Sequence, residues 1–152
     1  MRILFLSTWF PYPSDSGSKL RIYYLLRGLA EHHQVTLLSF VFATARPDVS
    51  SDLDGLCDEI HTVSLDPFAT NQAGILRTFL SLAPVSSRPI QTMRGQVEKI
   101  LATKIFDAVV ASTEMVADYA LQASCGTVRI LEEHNSMTRW MYERYQHASG
   151  IS

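Results

Sequence analysis

Three short stretches carry residue types whose spacing suits chemistry. The first, "STWFPYPSDSGSKLR" (residues 7–21), follows an apolar run and holds a single glycine, Gly17, before helical spacing resumes at Lys19. The others are "STE", Ser112 to Glu114, and "EEHN", Glu132 to Asn135, each after a further apolar run. Gly17 with Ser16 and Ser18 at a helix start offers free N–H groups and close backbone approach, a general anion site. His134 supplies an imidazole able to exchange a proton near neutral pH. Arg21 stands one turn into the helix, and Thr113, Glu114 and Asn135 stand in the two later stretches. Plainer roles stand beside these. Gly17 relieves a turn and Ser18 caps the helix; Arg21 is solvated; Thr113 caps a helix; His134 is a satisfied strand-end residue.

Several familiar sites are excluded by spacing. A dinucleotide fingerprint needs GxGxxG in a tight turn, and a phosphate loop of the GxxxxGK[ST] type needs its first glycine where Tyr12 stands. Ser7 and Thr8 occupy the strand end where a phospho-receiver domain would carry acids, and no GxSxG elbow is present. Glu132, Glu133 and His134 are adjacent, so on a strand they alternate between faces and do not form a three-ligand metal site. Cys57 and Cys125 show no CxxC or Cys/His spacing, so a reduced thiol pair is expected and no zinc site.

The elements that must position these residues alternate strand and helix. "ILFLS" (Ile3 to Ser7) is a continuous apolar run, as in a strand covered on both faces of a parallel sheet. Ile22, Leu25, Leu26, Leu29 and Ala30 then share one helical face. "QVTLLSFV" (Gln34 to Val41), "IHTVSL" (Ile60 to Leu65), "DAVVAS" (Asp107 to Ser112) and "VRILEE" (Val128 to Glu133) read as four further strands. "GILRTFLSLA" looks helical, and Met93, Val97, Ile100 and Leu101 mark a helix approached by Pro89. Thr113 is the expected cap of a helix carrying Val116, Ala120 and Ala123 and closed by Gly126; Ser136 caps a last helix through "MTRWMYERY". Trp9, Phe10 and Tyr12 either face a ligand or cover the core, whereas Tyr119, Trp140 and Tyr142 are expected in the core or at an interface.

The pattern predicts an α/β, Rossmann-like, doubly wound and mainly parallel sheet with helices on both faces. With strand 1 central, strands 2 and 3 extend one way and strands 4 and 5 the other. A crevice then opens between the carboxyl ends of strands 1 and 4, where all three stretches converge. The chain of 152 residues suits one domain, and its 47% hydrophobic and 18% charged content is that of a globular protein. A formal charge of −2 gives no basic field for nucleic acid. The apolar runs are shorter than the ~20 residues of a membrane helix, and no cleavage site follows the first one. A cytoplasmic protein is expected, with Ile75 to Leu82 as the candidate contact with a membrane inner face.

The opening "MRILFLSTWFPYPSDSGSKLRIYYLLRGLAEHHQVTLLSF" and the later "VRILEEHNSMTRWMYERY" resemble family-4-like retaining glycosyltransferases of the GT-B fold. The similarity is specific over the first forty residues and around 132–145, and weak between 45 and 105. It implies that residues 1–152 form the N-terminal, acceptor-binding half of such an enzyme, the nucleotide-sugar-binding C-terminal domain lying outside this chain. A nucleotide-sugar would be the donor substrate, a saccharide, lipid or small metabolite hydroxyl the acceptor, with no cofactor and no metal. Carried over by residue, Gly17 approaches the donor diphosphate, with Ser16 and Ser18 as neighbours; family members often show a Gly-Gly pair where this chain has Gly17-Ser18. His134 becomes the catalytic cleft histidine, Arg21, Thr113, Glu114 and Asn135 become acceptor-binding residues, and Trp9, Phe10 and Tyr12 are candidates to stack on a sugar. Little or no transfer is expected from this half alone. The alternative is a stand-alone, non-catalytic Rossmann-like module that binds a small anion or a protein partner.

Overall fold

The computed structural model describes residues 1–42, 53, 55–66, 90–133, 142 and 146. His134, Asn135, Ser136, Trp140, Pro89 and the expected helix over "GILRTFLSLA" lie outside the described residues, and of the expected last helix through "MTRWMYERY" only Tyr142 is described.

Five strands form one sheet: β1 (Arg2–Ser7), β2 (Gln34–Val41), β3 (Glu59–Ser64), β4 (Ala108–Ser112) and β5 (Val128–Glu132). Their order is β3-β2-β1-β4-β5, and every neighbouring pair is parallel. β1 is therefore central, and the direction of winding reverses between β1 and β4. Successive side chains of a strand point to opposite faces, and β1 shows this plainly. Leu4 and Leu6 pack in one core with Met93, Val97 and Ile100 of α2 (Gln91–Thr103). Ile3 and Phe5 pack in another with Ile22 and Leu26 of α1 (Gly17–Ala30). Helices cover both faces, which makes this a Rossmann-like α/β domain. Among the described residues, no helix is long and apolar enough to cross a membrane.

Local signals set the helix starts. α1 begins at Gly17, two residues before the spacing suggested, because Ser16 is the N-cap and its Oγ accepts from the Lys19 N–H at 3.5 Å. Ser18, the residue expected to cap, already lies inside the helix. The Lys19 ammonium also holds the Asp15 carboxylate at 2.8 Å, which lowers the pKa of that carboxyl. Past β4 the expectation fails. Thr113 has φ 90 and makes no side-chain cap; a 3-10 turn (Glu114–Val116) leads into a single helical turn, α3 (Ala117–Ala120). The Thr113 hydroxyl is engaged elsewhere, so it does not reach the turn's free N–H groups. Val116, Ala120 and Ala123 are buried as expected, and so is Tyr119, whose hydroxyl accepts from the Ile90 N–H at 2.7 Å. Phe10 is buried, and Trp9 and Tyr12 pack against the α1-side core.

β5 departs from the other strands. Val128, Ile130 and Leu131 are 55%, 46% and 52% exposed, so this edge strand is open on both faces.

The two thiols differ in accessibility, Cys125 being exposed and Cys57 half-buried. Burial, with a smaller push from Asp58, raises the Cys57 thiol from 9.0 to about 11. A maleimide at neutral pH is expected to label Cys125 promptly and Cys57 slowly, since only thiolate reacts; equal rates by mass spectrometry would contradict the burial. The folded chain holds this proton more tightly than the unfolded chain. Its stabilising contribution is therefore complete below pH 9 and is lost as the pH rises through about 11.

Candidate functional site

Open parallel sheets bind ligands outside the carboxyl ends of their strands, at the point where the winding reverses. Here that point lies between β1 and β4, whose register pairs Ser7 with Ser112. Each strand ends in the same dipeptide, Ser7-Thr8 and Ser112-Thr113, so four hydroxyl side chains gather at the rim. All four residues are buried, at 0%, 0%, 0% and 3% exposure. Buried hydroxyls need partners. Ser7 Oγ donates to the Trp9 carbonyl at 2.7 Å, and Ser112 Oγ donates to Glu132 Oε2 at 2.9 Å. Thr8 Oγ1 and Thr113 Oγ1 lie 2.8 Å apart. The Thr113 N–H donates to the Glu132 carbonyl at 2.8 Å, continuing the β4–β5 pairing beyond the strand end.

The loop after β1 carries a cis Tyr12–Pro13 bond and delivers α1 with its N-terminus at the carboxyl side of the sheet. From the first turns of α1, Arg21 Nε donates to Glu132 Oε1 at 2.6 Å, an ion pair in which the carboxylate side chain is only 15% exposed. That contact joins the helix after β1 to the end of β5 across the reversal point. The expected alternative of a solvated Arg21 is thereby replaced by a paired one. Surface spacing in sequence did not reveal it, because the partner lies 111 residues away.

Gly17 is exposed at the first position of α1. A Cβ built there meets nothing within 4 Å, and its φ lies outside the left-handed region. The fold therefore does not need glycine at this position, which removes turn relief as its role. Ser16 is exposed and Ser18 half-buried beside it.

The β4–β5 side of the rim is acidic. Glu114 is exposed on the 3-10 turn, and its carboxyl lies near that of Glu133. Desolvation, followed by the neighbouring carboxyls of Glu114 and Glu132, raises the Glu133 pKa above the ordinary carboxyl range. The contribution of this proton is present at low pH and is lost as the pH rises through the raised value. Glu114→Gln is expected to bring Glu133 back toward ordinary titration, followed by the side-chain carboxyl shift in an NMR pH series; an unmoved midpoint would show that Glu114 is not the cause.

Of the residues singled out from sequence, Gly17, Ser16, Ser18, Arg21, Thr113 and Glu114 thus lie on one rim of the sheet, while His134 and Asn135, which follow β5, lie outside the described residues. Thr8 was not singled out, nor was Glu132 for its role in holding Arg21 and Ser112. The signal available for Thr8 was the repeated Ser-Thr dipeptide closing two apolar runs. Among the described residues, no group of three or more His, Cys, Asp or Glu side chains is placed to hold a metal ion.

No protein-family model and no curated protein matches the chain. Among solved structures, it is similar to the C-terminal domain of a hydrogenase from Pyrococcus furiosus, at 16% identity and a TM-score of 0.53, covering 86% of this chain and 90% of that one. At that identity the likeness is one of fold.

Proposed function

We propose that this domain is the acceptor-binding half of a retaining glycosyltransferase, moving a sugar from a nucleotide-sugar to a hydroxyl acceptor in concert with a second, donor-binding domain. The reading starts from the sequence resemblance over the first forty residues and around 132–145. The observation that carries it further is Gly17. It opens a helix at the reversal point, has free space where a side chain would be, and has no conformational reason to be glycine.

In such a transfer the departing nucleoside diphosphate gathers negative charge. Preorganised N–H groups at a helix N-terminus stabilise that charge without reorganising. Gly17 and Ser18 present such groups, and the missing side chain allows a phosphate close to the backbone. Ser16 Oγ is occupied with the Lys19 N–H and so serves the helix first. The acceptor would lie toward β4 and β5, where Thr113, Glu114 and Asn135 orient its hydroxyls. Arg21, held by Glu132, fixes the spacing between the two sides. His134 would position the acceptor hydroxyl or the transferred sugar. Such an enzyme would act in the cytoplasm, with the segment Ile75 to Leu82 as the candidate contact for a membrane-borne acceptor.

The test uses the chain extended by the sequence encoded after Ser152, assayed for sugar release from a panel of nucleotide-sugars. Gly17→Ala is expected to leave the unfolding temperature unchanged or slightly raised, because alanine suits a helix better than glycine. It should reduce transfer by about tenfold or more, the equivalent of roughly 1.4 kcal/mol of lost transition-state stabilisation. His134→Ala should also reduce transfer. Full transfer by Gly17→Ala, or no transfer by the extended wild-type chain with any donor, would overturn the proposal.

A further inference from the structure

The two edges of the sheet differ in what they present. β3, at one edge, carries Glu59 and His61, and the Glu59 carboxylate pairs with the Lys104 ammonium just past α2; none of its residues is a large exposed hydrophobic. β5, at the other edge, exposes Val128, Ile130 and Leu131 and carries neither proline nor lysine, residues that commonly block edge pairing. Among the described residues no strand lies on its outer side.

Bonds to β4 fix the backbone phase of this edge. The Val128 N–H donates to the Asp107 carbonyl at 3.0 Å, and the Thr113 N–H donates to the Glu132 carbonyl at 2.8 Å. Val128, Ile130 and Glu132 therefore turn their backbone groups toward β4. Alternate residues of a strand serve opposite neighbours, so Arg129, Leu131 and, in the same phase, Glu133 turn theirs outward.

The side chains of these three residues share the α3 face. Arg129 Nη2 donates to the carbonyls of Ala123 at 2.7 Å and Ser124 at 3.3 Å, just past α3. The Glu133 carboxyl lies near that of Glu114, just before it. Leu131 stands between Arg129 and Glu133, which are about 13 Å apart along one strand and too distant to pair with each other. Opposite charges equidistant from one apolar residue make the edge complementary to its own reverse, the property a two-fold contact requires. The guanidinium keeps donors beyond Nη2 for a carboxylate. Glu133, beside the acids Glu114 and Glu132, stands where a cation is favourable.

We infer that the outer edge of β5 is a self-association surface: two copies of this chain pair antiparallel about a two-fold axis at Leu131, joining their sheets, with Arg129 of each copy opposite Glu133 of the other. The register follows from the same residues. With the axis at Leu131, every outward-facing residue meets another outward-facing residue, and such pairs exchange both N–H···O bonds. An axis at Ile130 would oppose Arg129 to Leu131 and leave both charges unmatched. None of these three residues is assigned to a ligand above, so the inference is independent of the proposed transfer.

A contact this short is small, so the association is of the weak, concentration-dependent kind. The full 152-residue chain, kept reduced so that exposed Cys125 forms no crosslink, is followed by sedimentation equilibrium from about 5 to 500 µM. Its mean mass is expected to rise from monomer toward dimer. Arg129→Glu and Glu133→Arg should each weaken the dimer about tenfold or more, because each sets like charges across the axis. An equimolar mixture of the two variants should associate again, since chains with acids at both positions then meet chains with arginine at both. Leu131→Lys, at an exposed position, should stay monomeric with an unchanged circular dichroism spectrum. If Arg129→Glu does not fold, for want of its contacts with Ala123 and Ser124, Glu133→Arg and Leu131→Lys decide. A chain monomeric throughout, a dimer indifferent to both of those variants, or a mixture of folded charge variants that fails to recover overturns the inference.

Discussion

Phe5→Ala is expected to cost about 3–5 kcal/mol, a large part of the 5–15 kcal/mol that typically separates folded from unfolded domains. Phe5 is fully buried on the central strand, flanked in register by Leu37 of β2 and Val110 of β4. Its ring packs in the same core as Ile22 and Leu26, the two buried residues of α1. Removing it leaves a cavity under the helix whose N-terminus carries Gly17, and neighbouring strands cannot collapse inward because both are hydrogen-bonded to β1. With a urea dependence of roughly 2 kcal/mol per molar, the unfolding midpoint should fall by about 2 M. Leu131→Ala supplies the comparison. Leu131 is 52% exposed on β5, and its loss should change stability by no more than about 0.5 kcal/mol. Equal costs for the two substitutions would mean that β1 is not the strand both cores share.

That contrast also shows where sequence reasoning reached and where it stopped. "ILFLS" and "VRILE" look alike as apolar runs, and both form strands, yet one is buried on both faces and the other is open on both. Composition reports that a segment favours extended pairing. It does not report how many layers cover it, because that depends on elements distant in the chain. The strand order was legible for a different reason. Helical crossovers between parallel strands have one hand, so an alternating pattern with a reversal leaves few arrangements. Periodicity likewise marked Ile22 and Leu26 on α1 and Met93, Val97 and Ile100 on α2 as buried.

The rim was legible as a place and much less as a set of contacts. Ser16, Gly17 and Ser18 all qualified as the helix start, and only geometry distinguishes the cap from the first helical residue. The Arg21–Glu132 ion pair and the Thr8–Thr113 contact span 111 and 105 residues, beyond any local spacing rule. Thr113 illustrates the physical limit. Threonine before an acidic residue is a standard helix-cap signal. Here its hydroxyl is drawn to Thr8, its N–H to the Glu132 carbonyl, and the chain turns through a conformation that no propensity scale assigns to threonine.

Thr113 therefore yields the second large effect, an inverted ranking of alanine and glycine. In ordinary backbone, glycine is less stable than alanine by roughly 0.5–1 kcal/mol because it loses more conformational freedom on folding. At φ 90, ψ 156 the order should reverse, since any Cβ there is strained by about 1–3 kcal/mol and glycine is not. Both substitutions delete the same hydroxyl and the same contact with Thr8, so their difference isolates the backbone. Thr113→Gly is expected to be more stable than Thr113→Ala by about 1–2 kcal/mol, the strain net of the entropy term. In a chain of this length each kcal/mol moves the unfolding temperature by about 2–4 °C, so calorimetry should separate the two variants clearly. The usual ranking, alanine above glycine, would place Thr113 in an ordinary conformation. The inverted ranking would instead show that the end of β4 is held in a conformation that costs stability, at the point where β1 and β4 part and their hydroxyls meet.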